Sequence, residues 1–451
     1  VWSKSARYQQ LVSQKPACFG VYVNPSRAWA LCLQQASPPW RKWMQQYANE
    51  LKDLEAVTLS VGAGEDGAFV TEMALVRREK ETAAALLNRF FVTWRTTADT
   101  TLTLPPVLVR NHNDGSREML TQDAAHRLYL VSQSGKILWR RPLENAVQSA
   151  VHQVDYLKNN KLQYLFATRT HLQLIDRNGN TVAPYPMRVP TAAALHTLTV
   201  VDYDSNRDYR FLVSDLLGNL YMYDKAGNAL EGWNPLRTGY RLQCAPRHVR
   251  IRDKDYFVVL QANGRLLLLN RRGQPYPGFP IDLKTRTDTP FFLETALSLE
   301  ETHVVVVSRE GEVIRVSFSG ETVSRRQLVR TSGKCVFRLC AEPQGRDWVV
   351  GRLDSRTLDI LDKNGNLLWE TADVPSDNPY LQYYNFGGGR RLMAVTAAGR
   401  TSVHTFDGKI VGDESFANRL PLAVVYADAY DKMLIYHTDG RQAGVLSVKI
   451  K

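Results

Sequence analysis

Four oxygen-bearing side chains in one short stretch of the sequence could bind a cation. Asp202, Asp204, Asn206 and Asp208 alternate with other residues, and carboxylate and amide oxygens are ligands that Ca²⁺ accepts. The stretch departs from the EF-hand loop, because Arg207 stands where that loop has glycine and no closing glutamate follows. Two interpretations are open: a calcium site, or a hairpin turn held by Asp and Asn side chains that bond to the backbone.

A glycine-rich hexapeptide, GAGEDG at 62–67, matches the spacing of a dinucleotide-binding loop. That loop needs a strand before it and a helix after it. Here AFVTEMALV follows, which is typical of a second strand. The pattern therefore predicts a β-hairpin turn and no nucleotide site.

The other reactive residues form no catalytic pattern. The nine histidines occur in no HxH or HExxH motif, and neither GxSxG nor a P-loop is present. The five cysteines, at 18, 32, 244, 335 and 340, include no CxxC pair. We predict buried free thiols, the alternative being a local disulfide between Cys335 and Cys340. We expect no enzyme activity and no cofactor, calcium excepted.

Composition and charge restrict the class of protein. With 44% hydrophobic and 23% charged residues among 451, the chain is globular, and it contains no apolar run of 18 residues that would predict a membrane-spanning helix. The formal charge is +12, but the basic pairs are scattered, which favours a solvated basic surface over a nucleic-acid interface. Since Val1 is not methionine, we expect a processed or cut chain whose signal or anchor is not part of this sequence.

A pattern recurs eight times and predicts the fold. The first seven copies have a turn, a short apolar strand and a glycine about nine residues on, as in HRLYLVSQSG, GNLYMYDKAG and RTLDILDKNG, and the eighth, GRQAGVLSVK, stops with the chain. Copies begin at 126, 170, 218, 264, 311, 356, 399 and 440, with two strands before the turn and a short strand after the glycine. Four antiparallel strands per repeat are typical of a propeller blade. We predict a mainly β fold: an eight-bladed β-propeller of four-stranded antiparallel blades, preceded by a small α/β module.

The eighth copy has no sequence left for a fourth strand. FVTW at 91–94 fits that strand, because it places Trp94 where Trp139 and Trp369 stand in their own repeats. We therefore expect a propeller over 89–451, closed into a ring by a strand near 90–96.

Residues 1–88 do not fit the repeat. The patterns predict a strand at 18–23, a helix at 38–54, a hairpin from 56–61 and 68–76, and a short helix at 79–90. The aromatic side of the first helix, with Trp40, Trp43 and Tyr47, is predicted to be core. We interpret 1–88 as an α/β module or as the end of a larger domain.

The pattern G-x-φ-x-φ-D-x-x-G-x-φ-φ-W, best kept in GNLYMYDKAGNALEGW and TLDILDKNGNLLWE, resembles the PQQ-like repeat of quinoprotein-type propellers. The stretch 99–209, with LPPVLVRNHNDG and VDYDSNRDYRF, is similar to Gram-negative cell-envelope propeller proteins that carry an N-terminal α/β domain. That resemblance implies a periplasmic or outer-membrane-associated protein. It does not imply a PQQ site, because the adjacent cysteine pair typical of quinoprotein dehydrogenases is missing.

Three functions remain open. A rigid repeat without a cluster of reactive groups favours a non-catalytic cell-envelope scaffold, monomeric, that binds protein partners. The basic charge and the aromatic loops at 184–186, 232–235 and 278–280 suggest a carbohydrate- or polyanion-binding propeller, although these loops also fit packing at the blade edges. The third alternative is an enzyme with its site in the central channel. No nucleic-acid partner is expected.

Overall fold

The computed structural model describes residues 17–23, 28, 32–47, 54–63, 69–77, 89–376, 378–427 and 431–449. The chain forms two compact units, Val1–Leu86 and Leu87–Lys451. Within the described ranges, no helix combines the length and the apolar character needed to cross a membrane.

The second unit is an eight-bladed β-propeller in which every blade is a four-stranded antiparallel sheet. This confirms the blade number and the strand number predicted from the repeat. The strands of blades 1 to 4 are Val107–Arg110, Arg117–Gln122, Arg127–Val131 and Ile137–Pro142; His152–Val154, Gln163–Ala167, His171–Ile175 and Met187–Arg188; Leu195–Val201, Arg210–Asp215, Asn219–Asp224 and Leu236–Arg237; Arg247–Ile251, Lys254–Leu260, Arg265–Leu269 and Ile281–Asp282.

Blades 5 to 8 repeat the same order. Their strands are Phe292–Glu294, His303–Val307, Glu312–Ser317 and Thr322–Gln327; Val336–Ala341, Trp348–Asp354, Thr357–Leu361 and Leu367–Thr371; Tyr380–Asn385, Arg391–Ala397, Arg400–Thr405 and Ile410–Ala417; Ala423–Ala427, Lys432–Asp439, Gln442–Val448 and, from the other end of the unit, Phe91–Thr97.

The first strand of each blade lies innermost, around a central channel. First strands of neighbouring blades contact one another, as Val336–Ala341 and Tyr380–Asn385 do. Their side chains also bond to the next blade: Gln382 Nε2 donates to the carbonyl oxygen of Leu422 at 2.9 Å, and Leu422 N donates to Gln382 Oε1 at 2.7 Å. These bonds tie the inner ring together.

Hydrophobic side chains fill the space between neighbouring blades. The second strand of blade 2, Gln163–Ala167, is buried at every position, whereas the fourth strand of blade 1, Ile137–Pro142, alternates between half-buried and exposed residues. A strand covered on both faces needs apolar residues on both, which explains the continuous apolar runs of the repeat. One such cluster joins Tyr256 and Val258 of blade 4 to Val304 of blade 5.

The turn between the third and fourth strands explains the D-x-x-G of the repeat. In blade 6, Asp362 Oδ1 accepts hydrogen bonds from the backbone nitrogens of Asn364 and Asn366, both at 2.8 Å. Gly365 has a φ of +83°, a conformation that only glycine adopts at little cost. In blade 4, Asn270 replaces the aspartate, and its Oδ1 accepts two backbone N–H groups of its own turn at 2.8 and 3.1 Å.

A tryptophan in the fourth strand packs against the turn glycine of the next blade. The ring of Trp139 lies so close to Gly179 that an added Cβ would stand 3.2 Å from it. The ring of Trp94 packs in the same way against Gly135, whereas Trp369 approaches Gly408 with its Cβ. Each of the three tryptophans pairs with the fourth residue of the preceding strand of its blade. The three tryptophans therefore occupy equivalent positions, as predicted.

The eighth blade contains both ends of the propeller. Phe91–Thr97 pairs antiparallel with Gln442–Val448, with Trp94 opposite Val445. On its other side, Gln442–Val448 pairs with Lys432–Asp439. The ring is therefore joined by main-chain hydrogen bonds inside one sheet.

The described part of the first unit contains a three-stranded antiparallel sheet, a helical stretch at 32–35 and a second helix after it. The strands are Ala17–Val23, Leu54–Ala63 and Phe69–Arg77, in that order. The second helix is Pro38–Gln46, and prolines at its first two positions suit a helix start.

Two predictions for this unit need correction. The predicted helix at 38–54 is too long: it ends at Gln46, and Leu54 belongs to a strand because it pairs with Arg77. The aromatic face of the helix is not core, since Trp40, Trp43 and Tyr47 are 61, 44 and 39% exposed. The ring of Trp43 contacts those of Trp40 and Tyr47, with centroids 5.4 Å apart in both pairs. The predicted helix at 79–90 falls almost entirely outside the described residues.

Candidate functional site

The four residues predicted as cation ligands lie in the turn between the first and second strands of blade 3, and each has a partner. Asp202 accepts hydrogen bonds from the backbone nitrogens of Asn206 and Arg207 at 3.1 and 2.9 Å. Asn206 Oδ1 accepts the backbone N–H of Asp208 at 2.9 Å. These are the bonds of an Asp- and Asn-stabilised turn.

Arginines neutralise the remaining carboxylates of this turn. Asp204 pairs with Arg250 at 3.3 Å, and Asp208 with Arg210 at 3.1 Å. Among the described residues, no three His, Cys, Asp or Glu side chains converge in a way that could hold a metal. The geometry supports the hairpin interpretation, and calcium binding stays a prediction for experiment.

The glycine-rich hexapeptide at 62–67 lies between two paired strands. Ala63 stands opposite Phe69 in an antiparallel ladder, so the segment connects a hairpin, and residues 64–68 of the connection lie outside the described residues. A dinucleotide-binding loop must be followed by a helix, and here a strand follows. The segment therefore does not meet that requirement.

The cysteines whose side chains are described are free thiols. Cys335 and Cys340 are buried and form no disulfide, as predicted. Burial raises the pKa of Cys244 to about 11 and that of Cys340 to about 12. Their thiolates are therefore disfavoured, and a nucleophilic role finds no support here.

The side chain of His404 is part of the packed interior of its blade. The His404 ring stacks on Trp369 with centroids 4.8 Å apart and hydrogen-bonds Ser402 Oγ at 2.8 Å. Burial lowers the pKa of His404 to about 4, so the ring is neutral at physiological pH.

The loops suggested for carbohydrate binding are exposed, but their aromatic rings are buried. Tyr185, Trp233 and Phe279 are 5, 0 and 9% exposed, and Trp233 Nε1 donates to the carbonyl oxygen of Arg271 at 2.8 Å. These rings pack at the blade edges and have no face free to stack on a sugar. The aromatic argument for carbohydrate binding therefore fails.

A cavity of about 980 Å³ opens on the central channel. One wall is the first strand of blade 6, Val336–Ala341, and another is the start of the first strand of blade 7. The loops that precede the first strands of blades 4 and 5 complete it. The loops that carry Arg241, Arg286 and Arg309 lie at the end of the channel where the first strands begin, and the cavity extends from there along Val336–Ala341 to Pro343.

The cavity is strongly basic. Arg241, Arg286, Arg309 and Arg338 line it, and Asp288 is its single lining acid among the described residues. Arg309 pairs with Asp288 at 3.3 Å. Within the described part of the chain, the guanidinium groups of Arg241 and Arg286 form no hydrogen bond and no ion pair; only their backbone carbonyls accept hydrogen bonds, from Ala262 N and Thr285 Oγ1. Three positive charges therefore remain without a neutralising partner.

Arg338 is the most enclosed of the four arginines. Its guanidinium donates to the carbonyl oxygen of Pro379 and to Asn378 Oδ1, both from blade 7. Burial lowers the pKa of Arg338, and the charge of Arg309 lowers it further. Since arginine keeps its proton in proteins, a positive charge is held in a partly dehydrated position, where it attracts anions strongly.

Two tyrosines lie exposed beside these charges. Tyr240 and Tyr380 line the cavity and are 42 and 51% exposed. A second cavity of about 490 Å³ shares Asn378 and Tyr380 with the first and extends to Arg419 at blade 8. Together they form a basic groove, which we define by Tyr240, Arg241, Arg286, Arg338, Tyr380 and Arg419.

Sequence reasoning did not single out these arginines, although a signal was present. Arg241 and Arg286 follow Gly218 and Gly264 of their repeats by 23 and 22 residues. The same loop is therefore basic in two consecutive blades. An alignment of the repeats with one another would have shown that these basic residues occupy the same loop.

The propeller is similar to known structures at low sequence identity. The crystal structure of BamB from Moraxella catarrhalis matches with a TM-score of 0.51 and 15% identity, over 79% of this chain and 99% of that one. The Dos1 propeller matches with a TM-score of 0.48 and 12% identity, over 80 and 96%. BBS1N, crystallised in complex with ARL6DN, matches with a TM-score of 0.46 and 12% identity, also over 80 and 96%.

No protein-family model matches the chain, and the curated proteins contain no match at the significance required. At these identities the likeness to BamB shows a shared propeller fold, and function must be argued from the site.

Proposed function

We propose that this chain is a non-catalytic scaffold of the cell envelope, periplasmic or outer-membrane-associated, whose propeller binds protein partners. The observation that carries the proposal is the basic groove. Arginine and tyrosine are the side chains most enriched in the energetic centres of protein interfaces, together with tryptophan. Here both types are exposed on strands and loops that the inner ring holds rigidly.

The lining of the cavity favours binding over catalysis. Its thiol, Cys340, is held in the protonated form by burial, with a pKa of about 12. Asp288 is already paired with Arg309. A nucleophile next to a base, the arrangement that catalysis most often uses, does not occur among the described lining residues.

A second function, binding of a polyanionic glycan, is favoured by the same arginines. It no longer has support from the aromatic loops, because those rings are buried. We therefore place it second.

Site-specific photocrosslinking in cells of the source organism tests the scaffold function. A photoreactive phenylalanine analogue replaces Tyr240, Tyr380 or Leu297, which is 84% exposed and lies in the loop between the first and second strands of blade 5, at the opposite end of the channel. We expect a discrete protein adduct from at least one position. If none of the three captures a protein, the scaffold function is wrong.

A further inference from the structure

The geometry points to a specific ligand for the basic groove: we propose that it binds an extended, acidic polypeptide segment of the partner protein. This inference rests on the proposed scaffold function and names the chemistry of the partner.

The charges require more than one anionic group. The four arginines of the larger cavity come from three successive blades: Arg241 from blade 4, Arg286 and Arg309 from blade 5, and Arg338 from blade 6. The carboxylate of Asp288 forms its ion pair with Arg309, and a single carboxylate does not balance the charges of the other three arginines. A ligand that satisfies the others must carry several anionic groups spread over a length of chain, and a segment rich in Asp or Glu does so. The guanidinium group is also planar and pairs with carboxylates through two parallel bonds.

The form of the groove suits an extended chain. The two cavities share Asn378 and Tyr380, so the basic groove continues from blade 4 to Arg419 at blade 8. An extended peptide advances about 3.3 Å per residue, so it reaches widely spaced charges with few residues. A single small anion would contact only one or two of these arginines.

The walls between the arginines favour a peptide over a sulfated glycan. Tyr240 and Tyr380 present their rings, and Leu381 and Pro290 add apolar surface. Aromatic and apolar surface beside arginine is typical of protein interfaces. A sulfated glycan offers mainly charges and hydroxyl groups, so it would make few contacts with this apolar surface.

The binding test uses synthetic probes and the whole chain. The probes are a fluorescein-labelled octapeptide of alternating Asp and Ser, its Asn-for-Asp counterpart, and a heparin octasaccharide. Fluorescence anisotropy at low salt measures the dissociation constants. The test variant is Arg241→Gln/Arg286→Gln, because these two side chains lack a partner among the described residues and their loss should leave the fold intact.

A matched control removes the same charge elsewhere. Arg272→Gln/Lys161→Gln changes two exposed residues in loops at the opposite end of the channel. We expect saturable binding of the Asp peptide, weakened about tenfold in the test variant because two exposed charge pairs are lost. The control variant should bind it like the wild type, and the Asn peptide should not bind.

Three outcomes would overturn the inference: no binding of the Asp peptide, equal loss in both variants, or tight binding of the octasaccharide alone. In the last case the groove is a glycan site. The photocrosslinks separate this failure from that of the scaffold function. If adducts form from Leu297 but not from Tyr240 or Tyr380, the chain is still a scaffold and the basic groove is not its binding site.

Discussion

At the scale of single residues, His404 shows how the propeller packs a buried polar side chain. His404 is 3% exposed, and its Nδ1 has no hydrogen-bond partner. The ring contributes by stacking on Trp369. A buried, half-satisfied imidazole must stay neutral, because protonation would place an unpaired charge inside the blade.

This burial predicts a pH-dependent loss of stability. The pKa of His404 is about 4 in the folded chain and about 6.5 in the unfolded chain. Below pH 6.5 the unfolded state binds the proton first, so stability falls as the pH falls towards 4. Between pH 7 and pH 5 this histidine should remove about 2 kcal/mol of the free energy of unfolding. Urea denaturation at both pH values measures it.

Two substitutions separate the effect of protonating His404 from the effect of its packing. His404→Phe keeps the aromatic stacking. It should reduce the loss of unfolding free energy between pH 7 and pH 5 by the same amount, about 2 kcal/mol. Ser402→Ala removes only the hydrogen bond to the ring and should keep the wild-type dependence. An unchanged slope in His404→Phe would show that the ring is not held neutral.

The acidic turn of blade 3 leads to a prediction about calcium. Because Asp202 and Asn206 hold the turn and arginines pair with Asp204 and Asp208, added calcium would have to displace bonds that already exist. Millimolar Ca²⁺ should therefore leave the melting temperature nearly unchanged. A rise of several degrees that Asp204→Ala abolishes would instead establish the calcium site.

At the scale of elements, the contact between a tryptophan and a glycine of the next blade holds the outer rim. Gly135 has a φ of +87°, and a Cβ there would stand 2.8 Å from the ring of Trp94. Gly239 has the same φ and nothing within 4 Å of its virtual Cβ. The two glycines thus share the backbone conformation and differ in the contact.

This pair predicts two different costs. Gly239→Ala should lower the free energy of unfolding by about 1 kcal/mol, the cost of placing a side chain at positive φ. Gly135→Ala should lower it by about 3 kcal/mol, because overpacking against Trp94 adds to that cost. Denaturant titration of both variants gives the difference, and equal losses would show that the Trp94 contact is loose.

The strands and turns could be predicted from the sequence where the repeat carries a local signal for them. Outside the repeat, the ends of the elements could not. Asp362 and Gly365 form their turn through local hydrogen bonds and a local φ, so the recurrence of this kind of turn along the chain predicted the hairpins of the blades. Helix Pro38–Gln46 has no such signal at its end, and the predicted helix was extended to Leu54, which instead begins a strand and pairs with the next strand of the chain. The basic groove was missed for another reason: its arginines come from different blades, and only a comparison of the repeats places Arg241 and Arg286 in the same loop.

At the scale of the whole molecule, the ring depends on a pairing between residues about 350 positions apart in sequence, as between Trp94 and Val445. Gln442–Val448 has Lys432–Asp439 on one side and Phe91–Thr97 on the other. Removing the latter exposes the edge of blade 8 and uncovers Gly135 of blade 1. Both effects weaken the contact between the first and last blades, which closes the ring.

A truncation series tests this joint. The chain 87–451 retains Phe91–Thr97 and should be soluble and resistant to protease. The chain 98–451 lacks that strand and should be insoluble or rapidly degraded, as should 1–440, which lacks Gln442–Val448. Limited proteolysis and the soluble yield measure the outcome. A resistant, monomeric 98–451 would mean that the ring does not need this strand.

The same joint predicts that the lost strand can be restored from the other end. Phe91 stands opposite Ser447 in the antiparallel ladder, so the start of the closing strand lies beside the end of Gln442–Val448. A chain that runs from 98 to 449, through a short Gly-Ser linker, and then through 89–97 should place the strand in a simple hairpin. We expect this permuted chain to regain the solubility and protease resistance of 87–451. A matched permutant carrying Trp94→Ala in the moved segment should regain them only in part, because the main-chain ladder returns without the ring that covers Gly135. If the permutant stays insoluble while 87–451 folds, closure needs the covalent link from Thr97 into blade 1 and not the pairing alone.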